Sequence, residues 1–391
     1  MFASRTNWPL TPNPLSLALA ERRRAGLPVL DLSESNPTRS GFQANRRAIL
    51  AALSSDEALR YEPDSRGLLR AREAVAAYYA ERGLQVSPEQ IFLTTTTSEA
   101  YTYIFRLLAN PGDNVLTPQP SYPLFDYLAG LNDVEIVAYS LRYQDGWSID
   151  TESLSARTTQ RSRAVLVVHP NNPTGSFVRQ SELEFLAGAC RERGLALVAD
   201  EVFADYAFAP DEQRVTSHAD VAEVLTFTLS GLSKISALPQ MKLAWIVVNG
   251  PPEILQRALR RLEIIADTYL SVSVPVAAAL PPLLELRRSV QPQILERARG
   301  NLRRLDKMLG GNSPLTRLTS EGGWYAVVRV PSVRSDEDWA VELLEREGVL
   351  VHPGHFYDCP GEGYLVLSLL PRPHIFSEGI SRLARWIEKR A

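Results

Sequence analysis

Lysine is rare in this chain, and one lysine lies where a reactive amine would be expected. Only four of the 42 basic residues are lysines, and Lys234 ends the segment TLSGLSK at 228–234. Unlike arginine, lysine can lose its proton and attack a carbonyl carbon. The apolar run 224–229 predicts a buried strand, so Lys234 falls in the turn after it. Two interpretations are open: a Schiff-base nucleophile, or a lysine whose stem covers apolar surface while its amine reaches water.

A second unusual turn follows the apolar run 91–93. It carries four threonines and a serine at 94–98, directly before Glu99. Hydroxyls and free backbone N–H groups at a helix start suit a phosphate group. The alternative is ordinary N-capping, with Glu99 in the first turn of the helix. Because a cap needs one hydroxyl and five are present, we favour an anion site.

Two more strand-end turns carry polar side chains. Asn171 and Asn172 stand between prolines after the run 165–168, a composition that is also typical of a plain turn. Asp200 follows the run 195–199, where an acid is costly unless it has a cationic partner or stays exposed. A protonated pyridine nitrogen would be such a partner. Ligands of open α/β sheets bind beyond the carboxyl ends of the strands, so we expect these turns to meet.

A phosphate site, an amide, an acid and a Schiff-base lysine together describe a pyridoxal phosphate site. Their order and spacing resemble those of the fold-type-I aminotransferases of class I/II, from about Ser33 to the C-terminus. The segments that carry the resemblance are NNPTG at 171–175, DEV at 200–202, SK at 233–234, PGD at 111–113, PSY at 120–122, PG at 353–354 with Phe356, and Tyr61, Gly67 and Arg72-Glu73.

The resemblance implies a role for each matching position. Lys234 would hold the cofactor as a Schiff base and carry the proton between the substrate and the cofactor. Asp200 would keep the ring nitrogen protonated, Asn172 would hydrogen-bond the phenolic oxygen, and Tyr122 would stack on the ring. The residues implied for the phosphate are Thr97 and Ser98, helped by Ser233 or Ser230.

The resemblance also implies an assembly and an activity. In the family a tyrosine at the position of Tyr61 reaches the phosphate of the neighbouring subunit, which implies a homodimer with shared sites. Asn36 lies where the N-terminal segment passes the substrate. The implied enzyme moves an amino group between an amino acid and a 2-oxo acid. A lyase or decarboxylase that uses the same cofactor, and a non-catalytic regulator that binds it, are the alternatives.

Three positions near the cofactor depart from the family pattern. Thr96 stands where a glycine is usual in the phosphate turn. Phe203 stands where a tyrosine usually contacts the phenolic oxygen, so we expect the nitrogen that links lysine to cofactor to keep its proton more readily. Lys242, eight residues after Lys234, stands where the family has an arginine on the phosphate. It supplies the point charge of an ammonium in place of the two parallel N–H donors of a guanidinium.

The fourth departure concerns the substrate. The family's arginine for the α-carboxylate lies two residues before a serine in a C-terminal strand, and here that position is Val366. Valine cannot pair with a carboxylate. Arg372, just beyond that strand, and Arg5, near the N-terminus, are the candidates to replace it, although ordinary surface arginines would look the same in the sequence.

Short apolar runs alternate with helical patterns through the middle of the chain. This alternation predicts an α/β fold: a mostly parallel sheet of the seven-stranded type with helices on both faces, plus a smaller α+β domain. We expect an N-terminal segment, 1–40, that packs with the small domain, a cofactor-binding domain, 41–282, and the small C-terminal domain, 283–391. Pro292 is expected to kink or break a helix over 283–309.

Composition narrows the class of protein. The net charge of -3 gives no reason to expect nucleic acid or an anionic membrane surface as a partner. Two cysteines, Cys190 and Cys359, are too few for a disulfide scaffold and favour the cytoplasm. No run approaches the ~20 apolar residues of a membrane span. The group His352, His355 and Cys359 fits no zinc pattern, so no metal is expected.

Overall fold

A computed structural model describes residues 1–61, 63–270, 272–310 and 313–390. Its strands are β1 (Leu30–Asp31), β2 (Ile91–Thr94), β3 (Asn114–Gln119), β4 (Glu135–Tyr143), β5 (Trp147–Ile149), β6 (Ser162–Val168), β7 (Ala196–Asp200), β8 (Thr226–Gly231), β9 (Ala244–Asn249), β10 (Thr316–Arg317), β11 (Tyr325–Arg329), β12 (Val349–Leu350), β13 (His352–Pro353) and β14 (Tyr364–Ser368).

The helices alternate with these strands. They are α1 (Pro14–Arg24), α2 (Arg46–Leu53), α3 (Leu69–Ala80), α4 (Thr97–Leu108), α5 (Phe125–Gly130), α6 (Thr151–Arg157), α7 (Gln180–Arg193), α8 (Leu232–Ile235), α9 (Pro252–Tyr269), α10 (Val274–Ala278), α11 (Leu280–Glu285), α12 (Arg287–Met308), α13 (Asp336–Glu347) and α14 (Pro373–Glu388). Short 3-10 helices lie at Ser4–Thr6, Asp56–Leu59, Pro88–Gln90, Pro239–Met241 and Gly354–Tyr357.

The large sheet has eight strands in the order β2-β9-β8-β7-β6-β3-β4-β5. Pairing is parallel from β8 through β7, β6 and β3 to β4. β9 runs antiparallel between β8 and β2, so β2 points the same way as the parallel strands. The predicted mostly parallel sheet is confirmed. It has one strand more than the expected seven because β5 pairs antiparallel with the end of β4.

Helices cover both faces of this sheet, which explains why the sequences of its strands are continuously apolar. Successive strand residues point to opposite faces. Phe92, Leu166 and Val198 pack with α4 and α9, whereas their neighbours along each strand pack in other clusters with α3, α7 and α11. Because both faces of the sheet are buried, the register of its strands is strongly determined. This register in turn determines where the turns at the strand ends lie.

The C-terminal part forms a second, antiparallel sheet in the order β10-β11-β14-β13. The N-terminal segment packs with it: β1 pairs parallel with β12, and Leu15, Ala18 and Leu32 belong to the same apolar cluster as α13 and α14. The smaller α+β unit is thus confirmed, while the residue boundaries 40 and 282 remain predictions.

The helix expected over 283–309 is interrupted at Leu286, between α11 and α12, and α12 then runs on through Pro292. Of the two expected outcomes at Pro292, the break was therefore wrong, while the kink stays a prediction. A proline inside a helix costs about 3 kcal/mol. Burial of Val290, Ile294 and Ala298 on one face of α12 offsets that cost. Within the described residues, no helix is both long and apolar enough to cross a membrane.

Candidate active site

The strand-end turns singled out in the sequence lie along one edge of the large sheet. β2, β3, β6, β7 and β8 all end at this edge because they share one direction. The sheet register sets Val168, Asp200 and Leu229 side by side at the ends of β6, β7 and β8. Side chains far apart in the sequence are thus brought to one edge by backbone pairing alone.

Lys234 lies in α8, a single helical turn directly after β8. Its amine lies 5.3 Å from the ring centre of Phe203 and 5.0 Å from that of Trp324. The Tyr206 hydroxyl donates a 2.6 Å hydrogen bond to the Lys234 carbonyl and fixes the backbone beneath the side chain. Burial lowers the pKa of Lys234 to about 8, against the opposing effect of the Asp200 charge. A lysine with this pKa is partly neutral near pH 7 and can act as a nucleophile.

Asp200 ends β7 as a buried carboxylate. Its Oδ2 accepts a 2.9 Å hydrogen bond from the Tyr101 hydroxyl, and its Oδ1 accepts a 3.1 Å bond from the Val202 N–H. Burial raises the pKa of Asp200 to about 6, although these bonds and the charge of Lys234 act in the opposite direction. The alternative of an exposed strand-end carboxylate is therefore excluded, and Asp200 would be stabilised as an anion by an added cation.

The two asparagines after β6 have different surroundings. Asn171 is held by the fold: its Nδ2 donates to the Pro120 carbonyl and to Thr174, both at 3.0 Å, and its Oδ1 accepts from Ser121 at 3.1 Å. Asn172 is also buried, but its Oδ1 has no hydrogen-bond partner within the described residues. A buried amide left without a partner is costly. Asn172 is thus the asparagine with bonding capacity left for a ligand.

Both interpretations of the threonine-rich turn apply, to different residues. Thr96 caps α4, since its Oγ1 accepts the Glu99 N–H at 3.1 Å, and Glu99 accepts the Thr95 N–H at 2.7 Å. Thr97 and Ser98 are the first two residues of α4, and their hydroxyls form no hydrogen bond in the described part of the chain. They lie at the positive end of a 12-residue helix and can receive an anion.

The remaining predicted cofactor residues lie in varied surroundings. Tyr122 packs edge-on against Phe125, and burial, with the charge of Asp200, raises its pKa to about 12. Ser233 is half-buried beside Lys234. Lys242 is exposed, with a left-handed backbone at φ 51°. Tyr61 is 74% exposed, so the described chain leaves its ring free for another molecule.

A buried polar cluster adjoins Asp200 and was missed in the sequence. Glu201 accepts hydrogen bonds from the His218 N–H at 2.6 Å, from His218 Nδ1 at 2.8 Å and from the Ser217 hydroxyl at 2.6 Å. Burial alone would raise the pKa of Glu201, but the bonds and charge of His218 outweigh it and lower the pKa to about 2. His169 packs edge-on against His218, and burial lowers its pKa to about 3. Glu201 is thus an ionised, fully bonded neighbour of Asp200.

Lys234 also borders a cleft of about 530 Å³ between the N-terminal segment and the C-terminal part. Asn36 lines this cleft, as its position in the family pattern implied, and so do Arg23 and Arg39. Arg372 does not line it; it is exposed at the start of α14, against Gly41. Arg5 is paired with Asp133 at 2.5 Å on another surface.

Three side chains around Lys234 escaped the sequence reasoning. Tyr101 carried a usable signal, since it lies four residues after Thr97 and thus on the same face of a predicted helix. Trp324 carried none, because it comes from the start of β11 in the other unit of the fold. Arg39, three residues after Asn36, was overlooked among many arginines.

These residues fit pyridoxal phosphate. The buried Asp200 suits a cation such as a protonated ring nitrogen, and the Asn172 Nδ2, which donates no hydrogen bond within the described residues, suits a phenolic oxygen. The first turn of α4 offers two unbonded hydroxyls to a phosphate. Lys234, with its lowered pKa, suits an aldehyde. Each chemical group of the cofactor therefore has a complementary group in this protein.

Comparison with known proteins gives an independent result. A family model described as aminotransferase class I and II matches residues 28–370. The chain is 27% identical over 370 residues to the glutamate-pyruvate aminotransferase AlaA of Escherichia coli K12, covering 93% of this chain and 91% of that protein. It is 26% identical over 362 residues to the S-alkyl-thiohydroximate lyase SUR1 of Arabidopsis thaliana, covering 88% and 76%. The crystal structure of an aminotransferase from Escherichia coli superposes with a TM-score of 0.88 at 25% identity, covering 99% and 98%.

Proposed function

Since the chain belongs to the class I and II aminotransferases, we propose that it moves an amino group between an amino acid and a 2-oxo acid, with pyridoxal phosphate bound at Lys234. One observation carries the proposal: Lys234, half-buried at the cleft and with a pKa that burial lowers to about 8, interacts electrostatically with the buried carboxylate of Asp200, which has no full cationic partner among the described residues. Such a pair of titratable groups with shifted pKa values is typical of a catalytic site.

Lys234 has two tasks in this proposal. Its neutral amine would hold the cofactor covalently, and once the substrate amine has displaced it, the same amine would carry a proton from the substrate α-carbon. When bound, pyridoxal phosphate supplies an electron-accepting ring that stabilises negative charge at that carbon. The ring centres of Phe203 and Trp324 lie 5.3 and 5.0 Å from the Lys234 amine, and burial of the amine lowers its pKa.

The strand-end side chains would orient the cofactor. Asp200, held by Tyr101 and Val202, would pair with the ring nitrogen and keep it protonated. Asn172 would bind the phenolic oxygen, and Tyr122 would lie against the ring face. The proposed phosphate ligands are Thr97, Ser98, Ser233 and Lys242, supported by the free hydroxyls and the helix start at α4.

We further propose a cytoplasmic homodimer with the three-part division at residues 40 and 282. The exposed ring of Tyr61 supports the dimer, because the family places this residue on the phosphate of the neighbouring subunit. The two cysteines, both buried and free, support a reducing compartment. Chemical cross-linking and sedimentation of the holoprotein test the dimer.

Absorbance spectra of the purified holoprotein test the activity. An amino acid alone should convert the bound cofactor to its amine form, and a 2-oxo acid should restore it. Borohydride reduction followed by peptide mapping should place the label on Lys234. Release of ammonia and a 2-oxo acid without an acceptor would indicate a lyase instead, and no spectral change with any amino acid would contradict both enzyme activities.

A further inference from the structure

The cleft that Lys234 helps to line is large enough to admit a small substrate to the amine. Its volume of about 530 Å³ lies within the range of small-ligand sites. The N-terminal segment forms one wall, and Leu350, His352 and Phe356 contribute to the other.

The position where the family pattern has a substrate-binding arginine is apolar in this chain. Val366 is 1% exposed and is paired in the small sheet with Val327 on one side and His352 on the other. A carboxylate held against Val366 would lose water without gaining a donor. The substrate carboxylate therefore needs a cation from another part of the cleft.

Arg39 is a cation on the neighbouring segment, and among the described residues its guanidinium has no ion-pair partner. Of the two arginines that line the cleft, neither forms an ion pair within the described residues. The Arg39 backbone is nevertheless fixed: its N–H donates to the Asn36 carbonyl at 3.0 Å, and the Ser40 N–H does so at 3.2 Å. A fixed backbone with a free guanidinium loses little additional freedom when it binds an anion.

The segment that carries Arg39 is attached to the strand of Val366. Ser368, two residues beyond Val366, donates its N–H to the Leu32 carbonyl and its hydroxyl to the Glu34 carbonyl, both at 2.7 Å. The other cleft arginine, Arg23, lies in the last turn of α1, where the helix C-terminus already stabilises its charge. Arg39 is therefore the better-placed replacement.

We infer that Arg39 binds the α-carboxylate of the substrate, the task that Val366 cannot perform. The inference rests on the proposed function. A guanidinium offers a carboxylate two parallel N–H donors, which holds the amino acid in one orientation. Arg39 thus acts on substrate binding and leaves cofactor binding to the edge of the large sheet.

A matched pair of ligands tests this role in the holoprotein. 2-Methylalanine has no α-hydrogen and binds without completing the transfer, and tert-butylamine replaces its carboxylate with a methyl group. Their dissociation constants are measured from the cofactor absorbance in the wild type and in the variants Arg39→Ala, Arg39→Lys, Arg23→Ala, Arg372→Ala and Arg24→Ala. Arg24 is the control, since it is an exposed arginine of α1 that does not line the cleft.

We expect Arg39→Ala to weaken 2-methylalanine binding about 10- to 100-fold, the usual loss for bonds to a charged group. Arg39→Lys should lie between Arg39→Ala and wild type. The affinity for tert-butylamine, the cofactor spectrum and the Arg24→Ala variant should change less than twofold.

An unchanged affinity of Arg39→Ala for 2-methylalanine would overturn the inference, as would an equal loss for tert-butylamine. The same carboxylate-specific loss in Arg23→Ala or Arg372→Ala, with Arg39→Ala unaffected, would assign the role to that arginine. If the wild-type holoprotein shows no spectral change with any amino acid, the proposed function itself fails.

Discussion

The two sides of Lys234 are built differently. On the side of the large sheet, Asp200 and Asn171 at adjacent strand ends are held by hydrogen bonds, and Asn172, Asp200 and Lys234 follow the family pattern even though Thr96, Phe203 and Lys242 depart from it. On the side of the cleft, the walls combine the N-terminal segment with residues near the small sheet. The strand behind them has the buried Val366 at the position of the family's arginine. Cofactor chemistry thus depends on sheet register, whereas substrate recognition depends on segments that can change without disturbing that register.

Removal of the Lys234 amine should have the largest effect. We expect Lys234→Ala to lower kcat/KM by at least about 10⁴-fold, because both the covalent link and the proton carrier are lost. Lys234→Arg should be equally inactive, since arginine stays protonated. Steady-state transamination measures the loss, with Lys307→Ala as the control at an exposed lysine. Substantial turnover by Lys234→Arg would contradict the assigned role.

Asp200→Asn should have the next largest effect. The change removes the negative charge that would pair with the ring nitrogen but keeps the shape and the hydrogen bond to Tyr101. We expect kcat to fall about 10²- to 10³-fold, as for loss of one preorganised electrostatic partner. Single-turnover absorbance with an amino acid measures the step directly. A variant as fast as wild type would show that the sheet edge does not control the ring nitrogen.

Val366→Arg tests whether position 366 can still hold a substrate-binding arginine. An arginine at this buried position, with no partner prepared for it, should lower the free energy of unfolding by about 3–5 kcal/mol. Val366→Leu should cost less than about 1.5 kcal/mol. Urea unfolding of both variants gives the comparison. A stable Val366→Arg variant that also binds 2-methylalanine more tightly would mean that the family's carboxylate site is still present.

The neighbours Asp200 and Glu201 should give opposite pH dependences in the cofactor-free protein. The pKa of Asp200 is raised from 3.8 to about 6. Its contribution to the free energy of unfolding is therefore fully present below about pH 4 and is lost as the pH rises through about 6. The pKa of Glu201, lowered from 4.5 to about 2, means that its contribution is present above about pH 4.5 and lost as the pH falls through about 2. Each effect amounts to about 3 kcal/mol.

Urea unfolding across pH separates the two carboxylates. Asp200→Asn should remove the change in the free energy of unfolding between about pH 4 and pH 6. Glu201→Gln should remove the change between about pH 4.5 and pH 2, and it should also destabilise the protein because His218 loses its charged hydrogen-bond partner. If both variants changed the pH dependence of unfolding equally in both pH ranges, the distinction between Asp200, which lacks a full cationic partner among the described residues, and the fully hydrogen-bonded Glu201 would be refuted.

Phe203→Tyr should produce the smallest effect. A hydroxyl here, beside the Lys234 amine, can donate to the phenolic oxygen of the bound cofactor and so lower the pH at which its absorbance changes. The free energy of one hydrogen bond to a charged group corresponds to a shift of about one pH unit in this transition. Phe203→Leu serves as the control and should not move the transition downward. A titration identical to wild type would show that position 203 does not reach the cofactor.

Much of the sheet edge could be predicted from the sequence, because it follows from local signals. Apolar runs mark strands, and polar residues directly after them must lie at the carboxyl ends of a parallel sheet. The sequence alone therefore predicts that Asp200 and Lys234 lie at the same edge of the sheet. Their environments were not predictable in this way: the distinction between Asn171 and Asn172 depends on Pro120 and Ser121, which come from another strand end.

The cleft was harder to predict for a related reason. Its walls come from both ends of the chain, and no periodic pattern connects Arg39 with Lys234. The candidates Arg372 and Arg5 were chosen by their distance along the sequence from Val366 and from the N-terminus, and neither lines the cleft. Pro292 shows the same limit, since a local rule for proline was outweighed by burial of the surrounding helix face.

The pairing of β1 with β12 joins residues 30–31 to residues 349–350. During synthesis, the strand ends that bear Thr97, Asp200 and Lys234 emerge long before β12 and β14 do. The groups that hold the cofactor can therefore assemble while the C-terminal part is still being made, whereas the substrate cleft requires a nearly complete chain. A truncated chain that lacks its last fifty residues would keep the strands of the cofactor edge and lose one whole wall of the cleft.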